Sequence, residues 1–467
     1  MSDSSQTETM TVTEALATFV LEAKYEDLTH ADISGARAAI SDCIGCAIAG
    51  AATSTGWITR RVAEASSCDG AATVIGGTRR LSAQAAALAN GTAGHALDYD
   101  DVLWTQYGHP SVTVLPAALA VAETVGSSGR DLLLAYAIGV EVIGKLGRAA
   151  NPQHYEHGWH STSTIGVIGA AAACARLMQL TPKQTAMALG IAASESNGVR
   201  RNFGTMTKPF HAGNAARGAV LAAELAREGF TSDLRAIEGE VGWAKVLLAR
   251  SMPPTADWLA ALGRPWEVGA PGIVLKRYPA CACTHCALDA LLSIIREHGI
   301  THTEIEQIHC DASPLSKKVL IYSRPATGLE GKFSMEFSLA VAAVEGKAGL
   351  AQYVDCWTSD PRVQALLPKI SFFARDDLAP EVSADAVPAE VIVHARGQRF
   401  TRKVLVPSGD PRNPMGPADR REKFLGCAAD VLPHTTAAAL FEELEVLEQA
   451  PHARSVLALL RNDAAAP

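Results

Sequence analysis

The chain has 467 residues, 48% of them hydrophobic, 19% charged and 6% aromatic, with a formal net charge of −8. That composition excludes disorder, and the length exceeds what one hydrophobic core usually serves, so two domains are expected. The acidic balance, with no long Lys/Arg run, excludes wholesale nucleic-acid binding. An anionic substrate would have to be drawn in by a few focused charges in a cleft.

In chain order, Met1 to Thr13 is polar and lacks the basic start and apolar run of a signal peptide. With ten scattered cysteines, the chain is read as a cytoplasmic protein with free thiols. From about Val12 to Trp258 the pattern is a series of helices. One opens after Leu28 with Thr29 as its N-cap. A second runs from Ser82 and is expected to stop at Gly91. A third spans Ser161 to Leu180, with Gly166 and Gly169 on a side another helix can approach closely. A fourth covers Ala215 to Glu228 and closes at Gly229. The longest apolar run, Ile165 to Ala175, is too short to cross a bilayer, so no membrane partner is expected. Near Gly269 the character changes. Ile305 opens a strand-like run, and Ala389 to His394 followed by Arg399 to Val406 reads as a hairpin around Gly397. Helical stretches at Cys283–Glu297 and Phe333–Glu345 lie in the same region, and helix returns from Asp419 to Arg461. The fold expected is mainly α with a smaller α+β domain. A helical domain covers 10–268, an α+β lid 269–410, and 411–467 returns to the helical domain.

Four segments carry chemistry. The first holds His95, Asp98, Asp100 and Asp101, followed by His109 and Pro110. Three carboxylates in four residues cannot all ionise cheaply without cations or solvent. An exposed acidic turn and a Mg²⁺ site are the readings open, although the spacing fits no standard cage. The second runs from His154 through Tyr155 and His157 to His160 and Ser163. Its three histidines at intervals of three suggest a metal face, but Gly158 argues against a continuous helix. His160 and the hydroxyls to Ser163 precede an apolar helix, whose N-terminus suits an anion. The third, Asn202 to Gly213, sets Thr207 and Lys208 before Pro209, a residue suited to a helix's first turn. The Lys208 ammonium and the helix amides would address one anion. The fourth, Lys276 to Cys286, crowds Cys281, Cys283, His285 and Cys286 too closely for the usual zinc pairs. The other reading places one of these cysteines in a pocket near Lys276, where positive charge would lower its thiol pKa.

The strings HALDYDD with a following HPS, GWHSTSTIGVIGA, NFGTMTKPFHAGNAAR and KRYPAC with a following TH occur in the order seen in the MmgE/PrpD family, which the chain resembles from roughly residue 10 to 450. The resemblance implies a helical domain with a smaller α+β lid, a homodimer, a small polycarboxylate substrate, and no organic cofactor or metal. Its members include 2-methylcitrate dehydratase, cis-aconitate decarboxylase and iminodisuccinate epimerase. Carried onto this sequence, it implies Asp98, His109, His160, Lys208 and Cys281 as catalytic residues, and Tyr155, Ser163, Thr207, Lys276 and His285 as substrate-binding ones. The chain departs from the decarboxylases at Cys281, where they carry His, and at Phe337, where they carry Tyr. At Cys281 it looks more like the epimerase. The reaction expected is that of a lyase, a dehydratase or decarboxylase moving protons next to a carboxylate. An imino- or amino-dicarboxylate epimerase and a non-catalytic carboxylate-binding protein are the alternatives.

Overall fold

The computed structural model describes residues 10–248, 256–378 and 387–460. The polar stretch through residue 9 and the Ala-rich end beyond 460 lie outside them. Helices dominate, and two sheets are present among the described residues: a ribbon of β1 (Asp69–Thr73) with β2 (Arg80–Leu81), and a sheet of β3 (Ile305–Ala312), β4 (Ile370–Ala374), β5 (Ala389–Ala395) and β6 (Gln398–Val404). The larger sheet has the order β4-β3-β5-β6, with β3 parallel to β4 and antiparallel to β5. The protein is therefore mainly α with an α+β domain. Among the described residues no single helix is long and apolar enough to cross a membrane.

Local chemistry explains the elements. Thr29 caps the His30–Ala51 helix and forms a capping box with Asp32. Residues 389, 391, 393 and 395 of β5 alternate inward, and β5 packs on the His285–His298 helix. The β5–β6 turn puts Arg396 (φ 55) and Gly397 (φ 67) in the left-handed region, as a two-residue hairpin demands.

Three expectations need correction. The helix from Ser82 does not end at Gly91 but runs as Ala83–His95. Gly91 is instead where the Thr207–Arg227 helix crosses: a Cβ there would stand 2.9 Å from the Gly213 Cα, and one on Gly213 only 2.1 Å from Thr92 Oγ1. The fourth helix accordingly starts at Thr207, not Ala215, with Pro209 in its first turn. The expected Ser161–Leu180 helix is split at Ile165 into one turn, Ser161–Thr164, and the helix Gly166–Leu177. Its glycines do meet a neighbour, since a Cβ on Gly169 would lie 2.5 Å from the Gly139 carbonyl oxygen.

Two large apolar cores result. One joins the N-terminal helices with Phe424, Leu440 and Leu444 of the C-terminal helices Pro417–Ala428 and His434–Leu444. The other lies between the larger sheet and its helices and takes in Tyr155 and Phe203 from the helical region. The chemical segments meet where the cores abut.

Candidate active site

The Ala83–His95 helix delivers the Asp98 loop, and its tight crossing with the Thr207–Arg227 helix brings Lys208 over that loop. Lys208 Nζ lies 2.5 Å from Asp98 Oδ1. Lys276 Nζ reaches the same oxygen at 3.0 Å and the Asp98 carbonyl at 2.8 Å. Asp98 itself sits at φ 51, a left-handed backbone uncommon for a non-glycine residue. Burial alone would raise its pKa, but the ammonium groups of Lys208 and Lys276 hold the carboxyl far below the usual carboxylate range. Burial likewise works against charge on Lys276, yet Asp98 and Asp100 keep its pKa raised. Asp98 Oδ2 is buried and has no protein partner.

The acidic turn is not solvated: Asp98, Asp100 and Asp101 are all buried. Asp100 receives the His95 Nδ1 proton, with both oxygens at 2.9 Å, and stands 3.2 Å from His109 Nδ1. Against the penalty of burial, His95 and His109 keep it well below the ordinary carboxylate range. Asp101 goes the other way: burial raises it strongly although Ser111 bonds to it.

These contacts fix two tautomers. His109 Nδ1 lies 2.7 Å from the Asp101 carbonyl oxygen and must carry the proton there, so Nε2 offers a lone pair toward Asp98 Oδ1 at 3.7 Å. His95, proton on Nδ1, likewise leaves a buried Nε2 unpartnered. Burial lowers the pKa of both rings, that of His95 to about 3, so both are neutral bases near pH 7. His160 stacks beside His95 with ring centroids 5.8 Å apart and packs edge-on to Phe203. Burial, then Lys208, push it well below an ordinary imidazole.

His95, Asp98, Asp100 and His109 place ligand-type atoms within 4.8 Å of one another. Two ammonium groups already lie on Asp98, so a metal ion drawn there would meet like charge.

The remaining residues singled out in the sequence are placed as follows. Cys281 is partly buried; a hydrogen bond from Cys283 lowers its thiol pKa, against burial. Tyr155 is buried under the Arg200 guanidinium, 3.9 Å from its ring, and burial raises its hydroxyl. His285 is buried against Tyr278 and faces the Ala280 carbonyl at 3.3 Å; burial, then Lys276, lower it to about 3. Phe337 is buried in the second core, edge-on to Tyr353. Ser163 turns away from the cluster and donates to the His211 carbonyl at 3.1 Å. Thr162 Oγ1 accepts from the His109 amide, and Thr164 bonds to His154. These three hydroxyls are thus engaged with protein groups. Thr207 is exposed, one residue round the helix from buried Lys208. His154 and His160 are buried while His157 is exposed, so the three histidines share no face.

Four further groups bear on the site. His211 pairs with His160. Asp100 orients two imidazoles. Lys332 Nζ donates to the carbonyls of Leu97 and Pro279 at 2.7 and 2.8 Å, tying the Asp98 loop to the Cys281 segment, and burial lowers it to about 7. Lys423, on the Pro417–Ala428 helix, donates to the carbonyls of Tyr99 and Lys276 and pairs with Asp42 at 2.6 Å. His211 and Asp100 lie inside legible motifs; the two lysines sit in unremarkable sequence, and only their burial marks them. The site is closed. A cleft of about 300 Å³ backs onto Tyr99 and Lys423 but is lined by none of Asp98, His109, His160, Lys208, Lys276 or Cys281.

Residues 14–255 match the MmgE/PrpD N-terminal domain and residues 278–449 the MmgE/PrpD C-terminal domain. The chain is 29% identical to a human cis-aconitate decarboxylase, covering 96% of this chain and 94% of that protein. It is 28% identical to the mouse protein of the same name, with 94% and 91% covered, and 26% identical to one from Aspergillus terreus, with 82% of each covered. Both family domains occur in order along the chain, and the chain is accordingly an enzyme of the MmgE/PrpD family.

Proposed function

We propose that the enzyme is a cofactor-independent lyase that decarboxylates or dehydrates a small di- or tricarboxylate by proton transfer beside a carboxylate. The observation that carries this reading is the pair of buried ammonium groups, Lys208 and Lys276, on one oxygen of Asp98 among neutral imidazoles. A substrate carboxylate would take those ammonium groups in place of Asp98. The negative charge developing beside it would be stabilised in a water-poor site. Asp98, freed of its cations, would then gain proton affinity, as would His109 next to a polyanion. In a decarboxylation the C–C bond breaks, carbon dioxide leaves, and a protein acid protonates the carbon that receives the electron pair. The segment 269–410 would act as a lid over a body of 10–268 and 411–467, opening to admit the substrate. Names of the relatives support the lyase class, and cis-aconitate is the first substrate to try.

Cys281 favours a second reading. A thiol with a lowered pKa near Lys276 would serve as one of two bases in an epimerase, with an imidazole as the other. Proton NMR in D₂O with chelator present, on 2-methylcitrate, citrate, cis-aconitate and iminodisuccinate, tests both. New vinyl signals or released carbon dioxide are expected. Deuterium exchange with a changed stereoisomer and no alkene would replace the lyase by the epimerase, and loss of activity on chelation would refute cofactor independence.

A further inference from the structure

His211 has no place in the mechanism so far. Its Nδ1 lies 3.1 Å from His160 Nδ1, with the ring centroids 5.3 Å apart. The backbone is held at both residues. The His160 amide donates to the Gly198 carbonyl at 3.0 Å, and the His211 carbonyl accepts from Ser163 Oγ. Gly198, at φ +110, lies so close that a Cβ would stand 3.2 Å from His211 Cγ. With Nδ1 engaged, His160 has only Nε2 left to turn toward the cluster, where His95 stacks on it.

Two facing Nδ1 atoms bond only when one bears a proton and the other does not. Burial, then Lys208, keep both rings neutral, His211 down to about 4, so neither is an imidazolium acid near pH 7. The two rings must then hold complementary tautomers.

We infer that His211 is a positioning residue for His160: it shares one proton with it across the Nδ1–Nδ1 contact and relays the proton that the reaction consumes. The inference rests on the lyase reading. In the productive state His211 carries the shared proton and His160 carries its own on Nε2. As carbon dioxide departs, the His160 Nε2 proton passes to the carbon that receives the electron pair. His160 Nδ1 takes the proton of His211 Nδ1, and His211 Nε2 is protonated by water. The hydroxide left behind combines with carbon dioxide as bicarbonate. No imidazolium forms at any point, which suits a site where burial disfavours one. Exchange with solvent resets the pair.

The first test is ¹⁵N NMR of the unliganded wild-type protein. A scalar coupling between the two Nδ1 atoms, with one ring protonated at Nδ1 and the other at Nε2, is expected; two Nε2-protonated rings without coupling would overturn the inference. The second is turnover. His211→Phe should lower kcat by about 100-fold with KM little changed. His211→Gln, which keeps a donor for His160 but cannot relay, should also be slow and should lose the multi-proton solvent isotope effect. Wild-type kcat in His211→Gln would overturn the relay. If no substrate turns over, the lyase reading fails alone, because the NMR result stands without activity.

Discussion

Asp98 is held by cations where an ordinary acidic turn would be held by water, and its neighbours divide the work by environment. Asp100 stays ionised to orient two imidazoles, while burial raises Asp101. The histidines carry the pH dependence. His154, bonded through Nε2 to Thr164 Oγ1 at 2.6 Å, is lowered by burial from 6.5 to about 4. Between those pH values the unfolded chain binds a proton that the folded chain refuses, so stability is full above 6.5 and falls as pH drops toward 4. The stability advantage of wild type over His154→Gln should therefore shrink by about 2 kcal/mol between pH 7 and 4.5. Urea denaturation at the two pH values measures it, and a constant difference would contradict the assignment. Much of the cluster is nameable from sequence because Asp98, His109, His160, Lys208 and Lys276 each sit in a distinctive string. Their geometry is not: Thr207 and Lys208 are adjacent in the chain but turn to opposite environments, and Lys332 and Lys423 become visible only once folding buries them.

At the scale of elements, the crossing of the Ala83–His95 and Thr207–Arg227 helices sets the distance between Asp98 and Lys208. Gly213 is its tightest point, with a Cβ meeting Thr92 Oγ1 at 2.1 Å and the Leu88 carbonyl oxygen at 2.3 Å. One contact is backbone and cannot rotate away. Gly213→Ala is therefore expected to cost about 1–3 kcal/mol in chemical denaturation and to lower activity beyond the loss of folded protein, since the shift moves Lys208. Normal activity in the folded fraction would show that the crossing does not set the site. The same contact explains why Gly91 misleads as a helix terminator: a glycine needed for close approach and one needed to end a helix look alike in sequence. The β5–β6 hairpin is legible because alternation and a turn glycine are both local signals. The break at Ile165 carries no such signal.

For the whole molecule, the C-terminal helix reaches back to the site. Lys423 neutralises Asp42 of the His30–Ala51 helix and holds the carbonyls beside Asp98 and Arg277. Lys423→Met would leave Asp42 buried and unpaired, a loss of about 3–5 kcal/mol. Adding Asp42→Asn should restore part of it. Thermal denaturation of the single and double variants checks this, and equal stability of wild type and Lys423→Met would show that the pair contributes nothing. This tie spans over 300 residues of chain and cannot be read from either segment alone.

The central claim is that Lys208 and Lys276 hold the reacting carboxylate. Its most direct test is the rate of product formation by Lys276→Ala beside wild type on the best substrate found, with folding verified by the thermal transition. A fall in kcat/KM of about 100- to 1,000-fold is predicted, the loss seen when a donor to developing negative charge is removed. A rate within threefold of wild type would place the chemistry elsewhere.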